Sequence, residues 1–355
     1  MQSRRDALHG LGAAIGSAVF SASSVAEEPP AGVNLGLLMY SYGIRAKAEK
    51  DRGFADPIRF VEFAKARGAS AVQLSLGAKT EADATTVRMA AAKVGVHIEG
   101  IISPPADDRA GLERFTAEVL TAKACGATVV RTVMLGGRRY ETFDKPEDYP
   151  AFAKRAAEML KRAEPVARKH GVKLAVENHK DFRTDEQIDL LKGVASEFIG
   201  VCVDTGNNLA LLEAPVDTVA ALAMFALTVH LKDMAVEEFA DGFRLAEVPL
   251  GQGIIDLKAI VATLRKGNPN ARFHLEMITR DPLPIPCLTE KYWATLGRVP
   301  GRDLARTLAL VRKSARKEPL SRISGLTAKE QLDAEDANVR ASFAFAAKAG
   351  LLPNA

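Results

Sequence analysis

Cysteine is scarce in this sequence. Three thiols, Cys125, Cys202 and Cys287, stand far apart in 355 residues. An odd count at such spacing excludes a disulfide framework, and no zinc-ligand spacing accompanies it. Cys202 lies inside an apolar strand-like run, where a free thiol behaves as a small hydrophobe. Charge of one sign is also missing. The formal net charge is +4 with no block of Lys or Arg, so nucleic acid is not an expected partner. No apolar run is long enough for a permanent membrane span. No Gly-x-Gly-x-x-Gly follows the first strand candidate, which argues against a dinucleotide-binding sheet. Aromatic residues are few, at 6%, and internal repeats and low-complexity tracts are absent. What is present is ordinary core material, 47% apolar and 26% charged. That is enough for one α/β barrel of about 250 residues with extensions.

The N-terminus differs from the rest. Arg4-Arg5 precedes a short run rich in Gly and Ala, then Ser24-Val25-Ala26 and Glu27-Glu28. Residues 1–26 read as a signal peptide and resemble the twin-arginine type, S-R-R-x-x-L. Ala7 and His9 depart from the residues usual there. The expectation is export to the periplasm, with 27–32 as a linker; a disordered tail is the alternative.

Beyond the linker, short apolar runs alternate with amphipathic ones. Strands are predicted at 33–40, 69–76, 96–102, 128–135, 172–177, 199–204, 227–231 and 272–277. Helices are predicted at 57–67, 81–94, 109–125, 151–169, 185–196, 216–225, 257–266 and 303–317. Asp56 before Pro57, Asp256, and a capping box at Thr184-x-x-Gln187 mark helix starts; glycines 68, 95, 126 and 171 mark helix ends. Eight strand–helix pairs predict a parallel sheet closed as a (β/α)8 TIM barrel over 33–316, with an open doubly wound sheet as the alternative. Residues 277–300 form a Pro-rich insertion. A C-terminal helical extension, 317–355, is announced by Thr327-x-x-Glu330.

In such a barrel the site lies at the C-terminal ends of the strands. The last four predicted strands end in Val176-Glu177-Asn178-His179, Val203-Asp204-Thr205-Gly206-Asn207, His230-Leu231-Lys232-Asp233 and Leu275-Glu276-Met277. Each residue alone has a bland reading: a strand-end ion pair for Glu177, an Asx turn for Asp204, a core histidine for His230, a rim charge for Glu276. Together on consecutive strands they would repel one another unless a cation neutralised them. Glu177, Asp204, His230 and Glu276 are a hard, oxygen-rich set suited to one Mn²⁺, Mg²⁺, Co²⁺ or Zn²⁺ ion.

These residues, with "AVENH", "CVDTGN", "VHLKD", "HLEM" and "PLGQGIID", resemble the xylose-isomerase-like TIM-barrel superfamily of sugar isomerases, ketose 3-epimerases, inosose dehydratases and endonuclease IV. The resemblance implies that the four bind a divalent metal and that Glu177 and Glu276 act as acid and base. Endonuclease IV has a histidine where this chain has Asn207, and histidines on early strands where this chain has only His97. A trinuclear zinc site is therefore not expected. The expected activity is metal-dependent epimerisation or isomerisation of a keto-sugar, by proton abstraction beside a carbonyl. Two alternatives stay open: a lyase, dehydratase or hydratase on 3-keto-glycosides or inososes, and a non-catalytic sugar-binding protein. His179, Asn207, Arg131, Gln73 and Trp293 are candidate contacts to the carbohydrate. Lys232 is another, although an ion pair with Asp233 is the favoured reading for it.

Overall fold

Side chains on a strand alternate between two faces, so a short apolar run interrupted by single polar residues can wall a core on one side and line a site on the other. In the computed structural model, which describes residues 33–314 and 318–353, eight such runs close into a parallel barrel. The strands are β1 (Gly36–Leu38), β2 (Ala71–Ser75), β3 (His97–Ile101), β4 (Val129–Thr132), β5 (Lys173–Glu177), β6 (Ile199–Asp204), β7 (Ala226–Leu231) and β10 (Arg272–Leu275). The order around the barrel is β1-β10-β7-β6-β5-β4-β3-β2. The expected signal peptide, the linker and the barrel's C-terminal boundary at 316 lie outside the described residues.

The wall is helical. Its helices are α2 (Pro57–Lys65), α3 (Glu81–Val94), α4 (Arg109–Ala124), α6 (Asp148–His170), α7 (Thr184–Val194), α8 (Pro215–Leu222), α9 (Leu257–Gly267) and α10 (Gly301–Ser314). Two short helices, α1 (Gly43–Ala48) and α5 (Arg139–Thr142), sit in connections. In α9 the buried residues are Leu257, Ile260, Val261 and Leu264, the i, i+3, i+4, i+7 stripe that turns one helix face inward. Full burial of each such side chain contributes about 1.5–3 kcal/mol. Asp56 caps α2 through the Ile58 and Arg59 amides, both at 3.0 Å, and Asp256 caps α9 through Ala259 at 3.0 Å. The cap expected at Thr184-x-x-Gln187 is one residue out of place. Glu186 accepts from the Arg183 backbone amide at 2.8 Å, while the Gln187 side-chain Nε2 donates to the Val176 carbonyl at 3.0 Å, tying α7 to β5.

Three strands lie outside the barrel, where the sequence reading left none. β8 (Asp233–Phe239) and β9 (Gly242–Val248) form an antiparallel hairpin, and β11 (Leu283–Ile285), from the Pro-rich insertion, adds to its β9 edge. This small sheet stands over the barrel mouth directly after β7. The expected C-terminal helix is present as α11 (Ala328–Lys348), started by a Thr327–Glu330 capping box. It buries Val339, Phe343 and Ala346, and Glu335 on it accepts from the Ile44 and Arg45 amides at 2.7 and 3.0 Å. Among the described residues no helix is long and apolar enough to cross a membrane.

Candidate metal centre

Register brings the strand ends together. Asp204 pairs with His230 across β6 and β7, and His230 pairs with His274 across β7 and β10. Glu177 closes β5, and Glu276 follows β10 directly, its amide donating to the Leu231 carbonyl at 3.1 Å. Glu177, Asp204, His230 and Glu276 are all buried, and each offers an atom within 4.8 Å of the others. Metal–oxygen bonds of about 2.1 Å put opposite ligands about 4.2 Å apart, so one ion spans this group.

The test of fit is what these atoms already bond. The Gly206 and Asn207 amides donate to Asp204 Oδ1 at 2.9 and 2.7 Å, the expected Asx turn, while Oδ2 has no aligned donor. Lys232 Nζ stands 2.9 Å from that Oδ2 without hydrogen-bond alignment. His230 Nδ1 lies 2.8 Å from Glu276 Oε2 and 3.3 Å from Glu177 Oε2, again unaligned, and Glu276 Oε2 has no donor either. Three buried ligand atoms thus face one another with nothing donating between them. Leaving one such atom unsatisfied costs about 1–3 kcal/mol. A divalent cation among them would satisfy all three.

The imidazole is set for this role from behind. His230 Nε2 is 2.7 Å from Gln73 Oε1, and Gln73 Nε2 donates to Glu99 Oε2 at 3.1 Å. Because a carboxamide oxygen only accepts, Nε2 carries a hydrogen. Against burial, the carboxylates beside the ring raise its pKa, and a cation among the ligands would displace any proton on Nδ1 and take its lone pair. Cys202, inward-facing beneath Glu177 and His230, belongs to a second possible ligand group. Burial pushes its thiol up to about 11, so it stays protonated at neutral pH and is a poor ligand.

Charges around the cluster pull in both directions. Burial alone raises the Glu177 carboxyl, but Arg131, His230 and His179 outweigh it and hold it below the usual carboxylate range. Arg131 grips Glu177 Oε2, with Nε at 2.5 Å and Nη2 beside it, and Asn207 Nδ2 donates to Oε1 at 3.1 Å. For Glu276, burial is outweighed by Lys232 and His230, again lowering the pKa. Lys232 does not pair with Asp233 as expected. Its Nζ lies 2.9, 3.3 and 3.4 Å from Asp204, Glu276 and Glu247, and these charges raise its pKa against burial. Asp233 instead gathers backbone amides: Gly251 and Gly253 on Oδ2 at 3.0 and 2.9 Å, Met234 and Ile255 on Oδ1 at 2.9 and 3.1 Å. That carboxylate moulds the "PLGQGIID" turn. A Cβ at Gly253 would fall 2.1 Å from Asp233 Oδ1 and 2.4 Å from the Met234 carbonyl, so the turn needs glycine there.

The remaining sequence candidates fall unevenly. His179 Nδ1 is 3.0 Å from the Leu135 carbonyl, which makes Nδ1 the protonated nitrogen and leaves Nε2 as acceptor. Burial, aided by Lys180 and Arg131, pulls its pKa down to about 4, so the ring is neutral at pH 7. Gln73, Arg131, Asn207 and Lys232 are linked to the four ligands by direct contacts. Trp293 is held in the insertion, its indole N–H donating to the Cys287 carbonyl at 2.9 Å, and among the described residues no hydrogen bond ties it to the cluster. Glu247, Glu99, Lys180 and Arg280 escaped the sequence reading. Glu247 reaches the site only because of the hairpin, and Arg280 Nη2 holds it at 2.8 Å. Glu99 had a visible signal, a lone carboxylate inside a buried strand. A cavity of about 520 Å³ between α7, α8 and α10 shares no residue with the cluster.

Fold and site together define a closed (β/α)8 barrel with a buried Glu-Asp-His-Glu cluster able to hold a metal ion at its C-terminal mouth. The model of the xylose isomerase-like TIM barrel family matches residues 60–296, and the chain belongs to that family. A D-psicose 3-epimerase structure determined in the presence of D-fructose superposes with a TM-score of 0.57 at 17% identity, over 88% of this chain and 98% of that one. A xylose isomerase-like TIM barrel protein from Mycobacterium smegmatis in complex with magnesium gives 0.51 at 17% identity, over 78% and 98%. Among curated relatives, 3-oxo-isoapionate decarboxylase from Pectobacterium atrosepticum is 25% identical over 181 residues, 50% of this chain. The chain spans 61% of that relative's length.

Proposed function

We propose that this protein is a metal-dependent enzyme acting on a keto-sugar or keto-sugar acid by proton transfer next to a carbonyl, with epimerisation or isomerisation as the reaction. The carrying observation is the convergence of Asp204 Oδ2, His230 Nδ1 and Glu276 Oε2 with no donor between them. A divalent cation held by Glu177, Asp204, His230 and Glu276 would polarise a carbonyl and acidify the adjacent C–H. The family, the epimerase-like fold and the sugar-acid relative support a carbohydrate substrate.

The chain's own groups then divide the work. Glu276 is the better placed base, since its Oε2 is free of donors and it retains 5% exposure, whereas Glu177 is fully buried. Lys232, fixed among three carboxylates, faces negative charge developing on substrate oxygens. Glu177, clamped by Arg131, is a weaker base. That clamp favours a second reading in which one proton-transfer group suffices. In elimination from a 3-keto substrate, a base takes the proton beside the carbonyl as the β-substituent leaves; in decarboxylation of a 3-keto acid, loss of CO₂ leaves an enolate that takes up one proton. Export of the protein, argued from Ser3-Arg4-Arg5, stays part of the proposal and points to free sugars over phosphorylated ones.

The test is metal analysis of the purified protein, then incubation with free and 3-keto sugars in D₂O. Deuterium beside the carbonyl with an intact skeleton supports the first reading. Loss of an aglycone, water or CO₂ supports the second. Absence of exchange and of cleavage despite a bound metal would leave a sugar-binding protein and overturn both. Glu276→Gln is expected to lower exchange by at least 10²-fold, the common scale for removing a general base.

A further inference from the structure

Lys180 stands on the loop after β5 in a left-handed backbone conformation, φ 69°, unusual for a residue with a side chain. It is 4% exposed, and its ammonium donates to Asn207 Oδ1. The same oxygen lies 3.3 Å from Lys232 Nζ, so two buried ammoniums share one carbonyl. Lys232 has three carboxylates around it; Lys180 has none within ion-pair distance among the described residues. Burial, then the charges of Lys232 and Arg280, lower the Lys180 pKa. A buried cation placed beside other cations is costly unless an anion joins it.

The charge balance of the connected network points the same way. Arg131, Lys180, Lys232 and Arg280 match Glu177, Asp204, Glu247 and Glu276 one for one, and Glu99, joined through Gln73 and raised by burial to about 7, adds at most one further negative charge. A divalent cation on the four ligands leaves at least one positive charge in surplus. A neutral ketose would leave that surplus unanswered.

We propose that Lys180, with Asn207 orienting it, is the binding group for a carboxylate on the substrate, and that the substrate class is the keto-sugar acids. The assignment rests on the proton-transfer reading only for the carbonyl, not for the acid. A strained residue that holds an unpaired charge for a ligand destabilises the empty protein. Removing that charge should therefore stabilise the ligand-free chain while weakening recognition, the reverse of a structural lysine.

The experiment uses the Mn²⁺-loaded full chain and two matched pairs, 2-keto-D-gluconate with D-fructose and 5-keto-D-gluconate with L-sorbose. Within each pair a carboxylate replaces a hydroxymethyl group. Calorimetric titration is expected to show at least one acid bound 10-fold or more tighter than its ketose. Lys180→Met should erase that preference, keep one equivalent of metal and raise the ligand-free thermal midpoint; Lys180→Arg should keep most of the preference. Equal or absent binding in both pairs overturns the assignment, as does a Lys180→Met variant that still prefers the acid or melts lower. Deuterium exchange in the same samples separates the two readings. Exchange on ketoses without acid preference removes this assignment and leaves proton transfer standing. Acid preference without exchange does the opposite.

Discussion

A carboxamide can turn either its oxygen or its nitrogen toward a neighbouring imidazole, and at Gln73 the choice is made by Glu99. Because Glu99 takes the Gln73 N–H, Oε1 is left for His230 Nε2, and Nδ1 is turned to the cluster. Gln73→Leu removes this fixing contact and should weaken Mn²⁺ binding by about 10–100-fold, the usual cost of losing an outer-shell partner. Gln73→Glu keeps an acceptor at Nε2 and should bind the metal more tightly than the leucine variant. Titration calorimetry on both decides it; Gln73→Leu with unchanged affinity would refute the orienting role. The convergence of Glu177, Asp204, His230 and Glu276 was legible in the sequence because each follows an apolar run at a strand end, where geometry leaves one destination. Lys180 and Glu247 were not, since a left-handed loop residue and a hairpin residue reach the site by paths that no strand count reveals. Lys232 was placed correctly at the mouth but given the wrong partner. Its neighbour Asp233 is occupied by the Met234 amide and by three amides of a turn some 20 residues downstream, contacts visible only after folding.

Elements differ in how openly their sequence declares them. The barrel strands and their helices follow from periodicity, and α3 spans the predicted 81–94. The β8–β9 hairpin hides because Glu237-Glu238 interrupts its apolar run, although Asp241-Gly242 is a recognised hairpin signal. β11 hides behind Pro284, which a strand tolerates at a sheet edge. The α11 extension declares itself by its capping box, and polar anchors hold it to the first barrel segment. Asp336 accepts from Arg67 Nη2 at 2.7 Å and from the Tyr42 hydroxyl at 2.8 Å, with Arg340 on its other oxygen at 2.6 Å. Burial raises its carboxyl, but these donors and charges outweigh it and bring the pKa from 3.8 down to about 2. A folded pKa below the unfolded one means stability present above about pH 4 and lost as pH falls toward 2. Glu335 beside it is raised by burial, so its protonation does not cause that loss. Asp336→Ala should therefore cost about 1–3 kcal/mol at pH 7, and the gap to wild type should close between pH 4 and 2. Denaturant midpoints at stepped pH measure it; a gap constant down to pH 2 would show that the anchor is not ionic.

At the scale of the whole molecule, the four candidate ligands lie on or directly after four adjacent strands, β5, β6, β7 and β10, half the circumference of the barrel. Their mutual repulsion is a standing cost to the metal-free fold, and it is offset locally only by Arg131 and Lys232. A cation that binds the closed barrel and not the unfolded chain converts its affinity into global stability. At 100 times its dissociation constant that gain is about 2.7 kcal/mol. For a chain of 355 residues it corresponds to a rise in thermal midpoint of about 3–5 °C. Protein stripped by a chelator should melt lower, and Mn²⁺ should restore the midpoint in proportion to the logarithm of its concentration. Asp204→Asn removes one ligand charge while keeping the amide-accepting oxygen of the Asx turn, so its ligand-free midpoint should hold and its metal response should flatten. Scanning fluorimetry across Mg²⁺, Mn²⁺, Co²⁺ and Zn²⁺ reads all of this in one series. A wild-type midpoint indifferent to every one of the four would mean that the cluster is a buried ionic network closed by Lys232 and the imidazolium of His230, with no cation site at the barrel mouth.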